Sequence, residues 1–189
     1  MPGTTARPVD TMPTAADSIT CYLHGKDHNR PHLLSQAFTA DARLQMQVQT
    51  AAIHFPALTA GRAAIAELLV TSFNQRYENV YTFCLGVPPP AVSASWRCDW
   101  MVVMSEKGSG INRVGCGRYD WRFAPDSGLV QSLHITIEQM QLLPPEVLPA
   151  LIGWVTKLPY PWCPPERLLR QAPDLPALQP VLQRLGGFG

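Results

Sequence analysis

Two adjoining stretches of alternating residues constrain the fold most. Alternate positions of residues 114–123 carry two glycines and then Tyr119, Trp121 and Phe123. A period of two is the period of a β-strand. A turn-forming stretch follows at residues 124–128, and Leu129–Met140 resumes the alternation. The pattern predicts a long antiparallel hairpin, and the two glycines predict a strand that bends sharply or lies close to another backbone.

The composition limits the classes of function. Charged residues make up 15% of the chain, against about 25% in ordinary globular domains, so some surface is expected to be covered by a partner. The net charge of +1 offers no basic excess for nucleic acid. No apolar run reaches the roughly 18 residues of a membrane helix, and Met1–Asp10 lacks the apolar stretch of a secretory signal. We therefore expect neither a nucleic-acid partner nor a membrane partner.

The cysteines and the motifs point to a reducing compartment without a cofactor. The chain has five cysteines, an odd number, and none stands in CxxC spacing. Cys84, Cys98 and Cys116 lie within apolar strand patterns, so buried free thiols and a cytoplasmic location are expected. No dinucleotide or phosphate-loop motif occurs, and no cofactor is predicted.

The remaining patterns complete an α+β order. Thr14 and Asp17 are expected to cap a first helix, which Gly25 and Pro31 would end around the polar loop 26–30. A short helix is predicted over His32–Phe38. Residues 61–77 have the apolar stripe of a longer helix. Strands are predicted at residues 43–49, 79–85 and 96–104, before the hairpin. Helices are expected on one face of an antiparallel sheet.

The chain divides by texture into three segments. Residues 1–13 are predicted to be a loose arm and residues 14–140 the α+β domain. Residues 141–189 form a Pro/Trp-rich extension. Its apolar content is too high for a disordered tail, so it is expected to pack on the domain or on a partner subunit.

Short motifs recur in a characteristic order from about residue 15 to residue 141: Tyr22, Lys26–Asp27, Leu34, Ala37–Phe38, Asp41–Ala42, Gly61–Arg62, Ile65, Gly117–Trp121, Gly128 and Leu133. This order resembles the nuclear transport factor 2-like superfamily, and within it the SnoaL-like proteins. The resemblance implies a cone-shaped α+β barrel, in which a curved antiparallel sheet wraps around N-terminal helices and leaves a pocket at the open end. It also implies a homodimer formed through the outer sheet face. The extension is outside the common pattern and suggests a narrower bacterial subgroup.

The enzymatic patterns of that superfamily are mostly missing. Where ketosteroid isomerases have a carboxylate base, an ungapped count from Tyr22 gives Met46, and methionine cannot accept a proton. Tyr22 matches the tyrosine donor of those enzymes, and Tyr119 falls near their acid donor. The resemblance therefore implies a pair of hydroxyl donors without the base. The histidines that scytalone dehydratase needs on two interior strands are absent from residues 80–85 and 115–123.

Two residues are candidates for a missing base. Asp99 lies in a strand between Trp96 and Trp100, and if it faces inward, burial would raise its pKa into a useful range. It could equally face outward and pair with an arginine on a neighbouring strand. His54, near the expected barrel mouth, is the second candidate.

Two functions remain open. In the first, Tyr22 and Tyr119 orient a small apolar or cyclic carbonyl compound, with or without acid–base chemistry. The expected pocket-lining residues are Phe38, Met46, Leu68, Trp121, Leu133 and Ile135. In the second, the two tyrosines only close the core, and the chain is a non-enzymatic dimeric module. The i, i+4, i+8 spacing of His24, His28 and His32 could suggest a metal site, but Gly25 and Pro31 argue against a continuous helix, and no metal is predicted.

Overall fold

The computed structural model describes residues 11–187. Seven strands form one curved sheet in the order β2–β1–β6–β5–β4–β3–β7. Their bounds are β1 Phe38–Val48, β2 Leu58–Ala60, β3 Tyr77–Leu85, β4 Ser95–Glu106, β5 Asn112–Phe123, β6 Val130–Leu143 and β7 Trp162–Cys163. β1 pairs with β6 in parallel, and β7 pairs with β3 in parallel. The remaining neighbours are antiparallel, so the predicted α+β class and the long hairpin of β5 and β6 are confirmed.

The first helix, α1 (Ala15–Asp27), begins as its sequence predicts. The Thr14 side chain accepts a hydrogen bond from the backbone N–H of Asp17, and the Asp17 carboxylate accepts one from the backbone N–H of Thr14. This reciprocal capping box satisfies two amide groups that the helix leaves free.

The end of α1 corrects one prediction. The helix continues through Gly25 instead of ending there, and so includes Lys26 and Asp27. A side chain at Gly25 would lie 2.9 Å from Leu34. The glycine therefore allows the following 3₁₀-helix, Pro31–Gln36, to pack against α1. That short helix ends before Phe38, which belongs to β1 and not to the helix predicted over His32–Phe38.

The second long helical segment has three parts. α2 (Arg62–Ala66) runs into a π-helical turn (Glu67–Thr71) and then into α3 (Ser72–Arg76). The wider turn changes which side chains face the sheet. Leu69 is buried, whereas Leu68 is only partly buried.

The close backbone approach predicted from the glycines occurs at Gly117. A β-carbon there would lie 1.8 Å from the carbonyl oxygen of Thr136 on β6. The register between β5 and β6 shifts at the same place, between Cys116 and Gly117. A bulge of this kind bends the sheet. It also changes which residues of β6 face inward. Ile135 and Ile137 face inward before the bulge, and Met140 faces inward after it.

The segment after β6 lies on the outer face of the sheet. It contains a 3₁₀-turn (Pro145–Val147), α4 (Leu148–Val155), β7, α5 (Pro165–Arg170), a second 3₁₀-turn (Pro176–Leu178) and α6 (Gln179–Gly186). Its buried residues include Leu151, Trp154 and Val181, which share a hydrophobic cluster with Phe83 and Met101 of the sheet. A different cluster fills the inner face, between the sheet and the N-terminal helices. No helix among residues 11–187 is long and apolar enough to cross a membrane.

Candidate functional site

A small cavity lies on the inner face, near the open end of the cone. Its volume is about 50 Å³. α1, the π-helical turn, five strands and the loop between β1 and β2 supply its walls, because the bulged sheet curves around the helices. The lining residues are mostly apolar: Tyr22, Lys26, Met46, Phe55, Leu69, Thr82, Trp100, Val102, Tyr119, Ile135, Ile137 and Met140.

Packed aromatic rings fill the inner core beside the cavity. Tyr22 makes edge contacts with Phe38 and Trp121, with ring centroids 5.6 Å apart in each case. Tyr119 lies 5.0 Å from Trp121 and stacks on Trp100 at 5.6 Å. Such arrangements are favourable for rings that carry a negative face and a positive edge. This part of the inner core is consequently filled by the protein's own side chains.

Two tyrosines line both the aromatic cluster and the cavity. The rings of Tyr22 and Tyr119 are 6.3 Å apart. Burial raises the pKa of both hydroxyl groups above the ordinary tyrosine value, and contact with the Tyr119 hydroxyl partly opposes the shift at Tyr22. Both hydroxyl groups therefore stay protonated at neutral pH and can donate hydrogen bonds.

Lys26 of the cavity wall belongs to a buried ion pair, whose partner Asp27 lies behind the wall. Lys26 Nζ lies 2.8 Å from Asp27 Oδ1 and donates to Thr82 Oγ1 at 2.7 Å. The Lys26 side chain is 7% exposed and the Asp27 side chain is fully buried. Thr82 donates to Asp27 through its backbone N–H at 2.7 Å and through its hydroxyl group at 2.8 Å. A buried pair needs such additional hydrogen bonds to offset the cost of removing both charges from water.

Three further contacts connect this ion pair to other elements. The hydroxyl group of Tyr160, from the extension, donates to Asp27 Oδ2 at 3.0 Å. The Asn74 amide donates to the Lys26 carbonyl oxygen at 2.8 Å. The Lys26 ammonium also lies 4.9 Å from the centre of the Phe73 ring. The ammonium group is thus held in place by α1, α3 and β3.

The sequence interpretation missed Lys26 and Thr82 as cavity residues. The available signal was helical spacing, since Lys26 follows Tyr22 by four residues and lies on the same face of a continuous helix. The assumption that Gly25 ends the helix removed that signal. Thr82 stands at an inward position of a strand whose inner side is otherwise apolar.

Asp99 does not line the cavity. On β4 its neighbours Cys98 and Trp100 face the inner core, so Asp99 points to the outer face. There it pairs with Arg184 of α6 at 3.4 Å. Burial raises its pKa, and the Arg184 guanidinium opposes that shift. The outward alternative is the observed one, but the partner arginine comes from the extension and not from a neighbouring strand.

The other sequence-derived candidates are distributed as follows. His54 is exposed in the loop between β1 and β2, and its neighbour Phe55 lines the cavity instead. Met46 and Ile135 line the cavity. Phe38, Trp121 and Leu133 are buried in the closed part of the inner core, and Leu68 packs at its edge.

The cavity therefore offers hydrogen-bond donors and no free base. The lining contains one ammonium group and three hydroxyl groups, from Lys26, Tyr22, Tyr119 and Thr82, and it contains no carboxylate or imidazole. Such a set can hold a carbonyl oxygen or a developing negative charge. Among residues 11–187, no group of three or more His, Cys, Asp or Glu residues is arranged to hold a metal ion.

Comparison with solved structures identifies the fold. The chain is similar to a type 2 hexachlorocyclohexane dehydrochlorinase, with a TM-score of 0.54 and 14% identity over 67% of this chain and 84% of that one. It is similar to a computationally designed 17-OHP binder, with a TM-score of 0.52 and 14% identity over 70% and 100% of the two chains. A nuclear transport factor 2-like superfamily protein from Salmonella enterica gives 0.51 and 18% identity over 66% and 88%.

These neighbours show that the chain has the cone-shaped α+β fold of nuclear transport factor 2-like proteins. The predicted resemblance is confirmed at the level of the fold. No protein-family model and no curated protein sequence matches the chain. Proteins with this fold include enzymes and designed binders, so the fold alone does not define the function.

Proposed function

We propose that the chain binds a small, largely apolar compound with one carbonyl or hydroxyl group in the cone cavity. The observation that carries this proposal is the Lys26 ammonium group in the wall of a mostly apolar cavity. Ligand pockets typically combine apolar walls with a few fixed polar groups. The extension suggests a distinct subgroup of the SnoaL-like proteins, in which this pocket is retained.

The donors of Lys26 support an orienting role. An ammonium group has three N–H donors. Asp27 and Thr82 each accept a hydrogen bond from Lys26, so one donor is left over from these two bonds. A ligand oxygen at the cavity edge could accept it together with a hydroxyl group of Tyr22 or Tyr119. The ligand's apolar part would contact residues such as Met46, Ile135 and Met140.

The cavity volume restricts the ligand or requires side-chain movement. A volume of about 50 Å³ is well below the roughly 300–1,000 Å³ of ordinary ligand pockets. Met46, Met140 and Phe55 form part of the wall, and methionine adapts easily because three of its bonds rotate. A six-membered ring would enter by displacing these side chains, not the backbone.

The same volume favours a second candidate. A cavity filled by the protein's own side chains is what a non-enzymatic accessory module would have. In that case the outer face and the extension would carry the function, with a homodimer as the expected assembly. The absence of a free base in the cavity lining also favours binding over turnover, since acid–base catalysis needs a proton acceptor near the ligand.

The test compares two ring compounds that differ in one polar group. Cyclohexanone and methylcyclohexane would be titrated against methyl-labelled protein, with the methyl resonances of Met46 and Met140 followed by NMR. We expect saturable shifts with cyclohexanone. Tyr119→Phe and Lys26→Met should each weaken the binding of cyclohexanone at least tenfold and leave methylcyclohexane unaffected. Lys157→Met, an exposed lysine on the extension, is the matched control.

Two results would exclude the ligand-binding proposal. One is the absence of saturable shifts for both compounds, which would favour the accessory module. The other is equal affinity for cyclohexanone in the wild type and in Tyr119→Phe and Lys26→Met. Tyr119→Phe guards against a folding artefact, because it removes only one oxygen atom.

A further inference from the structure

A second and much larger concave site lies on the outer face of the sheet. It has a volume of about 880 Å³ and lies over β1, β6, β5 and β4, with Leu58 of β2 at its rim. The extension packs on the outer side of residues such as Phe83, Met101 and Cys116 but leaves this region open. Its charged side chains come from alternate, outward-facing positions, the opposite parity to the strand residues of the cone cavity. We call this site the arginine groove, after Arg43, Arg97, Arg118 and Arg122 in its lining. It is separate from the cone cavity described above.

The charge of the arginine groove is unbalanced. Four arginines line it, Arg43, Arg97, Arg118 and Arg122, and Asp120 is the only acidic residue in its lining. These four are a large share of the 15 basic residues in a chain whose net charge is only +1. A concave surface lined by charges of one sign raises the local concentration of oppositely charged ligands.

Asp120 compensates only part of this charge. It pairs with Arg97, which lies directly opposite on β4, and with Arg118 of its own strand at 3.3 Å. Arg43 and Arg122 make no ion pair with any residue of the described range 11–187. Two arginines in the groove thus lack a counter-charge within the described part of the chain.

The two uncompensated arginines lie on one row across the sheet. Arg43 of β1 pairs in register with Ser132 of β6, and Ser132 pairs with Arg122 of β5. Two strand spacings separate the arginine backbones, or about 10 Å. Both side chains are exposed, and the half-buried Ser132 supplies a hydroxyl donor between them. An anion that lies between the two guanidinium groups would be attracted by both of them.

We propose that the arginine groove binds a small polyanion that carries phosphate or carboxylate groups. The Arg43–Ser132–Arg122 row would contact one oxyanion group, and Arg97 and Arg118 would contact a second one across the groove. Guanidinium groups match such oxyanions with two parallel hydrogen bonds. The volume is within the range of small-molecule sites. A second copy of the chain is a poor occupant through this face, because face-to-face pairing would double the excess of positive charge.

Isothermal titration calorimetry with inorganic pyrophosphate tests this site. The wild type should bind pyrophosphate more tightly than orthophosphate, because only pyrophosphate has two groups to span the groove. The double variant Arg43→Gln/Arg122→Gln should lose at least tenfold in affinity. Arg170→Gln, an exposed arginine of α5 outside the groove, should bind like the wild type. All three substitutions are on exposed side chains, so circular dichroism should show unchanged folding.

Three outcomes would overturn the proposal. Equal affinities for pyrophosphate and orthophosphate, or an equal loss in Arg170→Gln, would mean that pyrophosphate senses only general surface charge. Binding of a poly-glutamate peptide without binding of pyrophosphate would identify a protein-docking surface instead. Self-association that Arg43→Gln/Arg122→Gln abolishes, measured by sedimentation, would identify a subunit contact.

Discussion

The two faces of the sheet carry two hydrophobic cores of different character. The inner core, between the sheet and α1–α3, is rich in aromatic side chains with polar tips, and it contains the cavity and the Lys26–Asp27 pair. The outer core, between the sheet and the extension, is mainly aliphatic around Trp154. The indole N–H of Trp154 donates to the Leu168 carbonyl oxygen at 3.1 Å. The inner core therefore has the groups for recognising a ligand, whereas the outer core has those of a packing interface.

The outer core has a consequence for assembly. The resemblance predicts a homodimer through the outer sheet face. In this chain, the extension occupies part of that face, over Phe83, Met101 and Val103. The open remainder is the arginine groove, which is polar and positively charged. The extension thus takes the position that a partner subunit would need, and the expected homodimer stays a prediction.

The helices of the two regions also begin differently. α1 begins with the Thr14 capping box. α4, α5 and α6 have no side-chain cap and carry a proline in their first two positions. Proline fits there because its missing N–H would be unpaired in any case. The proline-rich texture that separated the extension in the sequence thus marks helix starts and not disorder.

The sharpest test of whether the two cores form one unit is Trp154→Ala. Trp154 is 3% exposed, and replacing a buried tryptophan with alanine costs about 3–5 kcal/mol of unfolding free energy. Because β3, β4 and β5 contribute side chains to both cores, we expect the variant to unfold in a single transition at a lower urea concentration than the wild type. Both tryptophan fluorescence and far-UV circular dichroism should follow it.

A separate early transition in Trp154→Ala would contradict this view. It would show that the extension unfolds independently of the cone. Trp121→Ala, the equivalent change in the inner core, should cost a similar amount, because Trp121 is also almost fully buried. A single shared transition in both variants is the expected result.

Gly117→Ala tests the close contact that shapes the cone. The new methyl group would meet the Thr136 carbonyl oxygen, which belongs to the backbone and cannot rotate away. Overpacking usually costs about 1–3 kcal/mol, and a collision with backbone should reach the upper end of that range. Chemical denaturation measures the cost. Gly153→Ala in α4 is the control, because nothing lies within 4 Å of its new methyl group.

The control variant Gly153→Ala has an expected effect on stability of its own. Alanine favours a helix interior by about 1 kcal/mol over glycine, so Gly153→Ala should be neutral or stabilising. Equal destabilisation in both variants would mean that the Gly117 contact does not constrain the sheet. If the Gly117 contact constrains the sheet, the unfolding free energy of Gly117→Ala is lower than that of Gly153→Ala.

Local patterns in the sequence predicted most of the fold. Alternation indicated which face of β1 is buried, because only one side of that strand meets an apolar core. On β5, alternation placed Tyr119, Trp121 and Phe123 on one face, and all three lie in the inner core. The Thr14–Asp17 cap and the Gly117 approach were also readable, since both depend on residues with few conformational alternatives. The predicted end of α1 was wrong because Gly25 allows Leu34 to pack against the helix, and no local sequence pattern reveals such a tertiary contact.

The site was less predictable for the same reason. The resemblance led us to expect Tyr22, Tyr119, Met46 and Ile135 near a pocket, and all four line the cavity. The orientation of Asp99 was not readable, because both faces of β4 are covered and both carry apolar residues. Its partner Arg184 lies 85 residues away in the sequence. The arginine groove likewise assembles from residues on different strands, whose adjacency only the sheet order defines.

Alkaline pH tests the burial of the two cavity tyrosines, whose effect adds to that of Tyr160 of the extension, since burial also raises the pKa of Tyr160. The pKa of Tyr22 and that of Tyr119 are raised by burial in the folded state. In the unfolded chain both hydroxyl groups ionise near pH 10. A raised native pKa means that the folded state retains protons that the unfolded state releases, so stability is fully present below pH 10 and falls above it. Each tyrosine should add a slope of about 1.4 kcal/mol per pH unit.

Urea unfolding between pH 9 and pH 11 would measure this slope. Tyr22→Phe should reduce it by the contribution of one tyrosine, because phenylalanine has no proton to release. The buried thiols also have raised pKa values and add their own slope from about pH 9, so the comparison must be between the variant and the wild type at each pH. An unchanged slope in Tyr22→Phe would mean that the Tyr22 hydroxyl group is hydrated in the folded protein. The cavity would then be open to water, which would favour entry of a ligand over a sealed core.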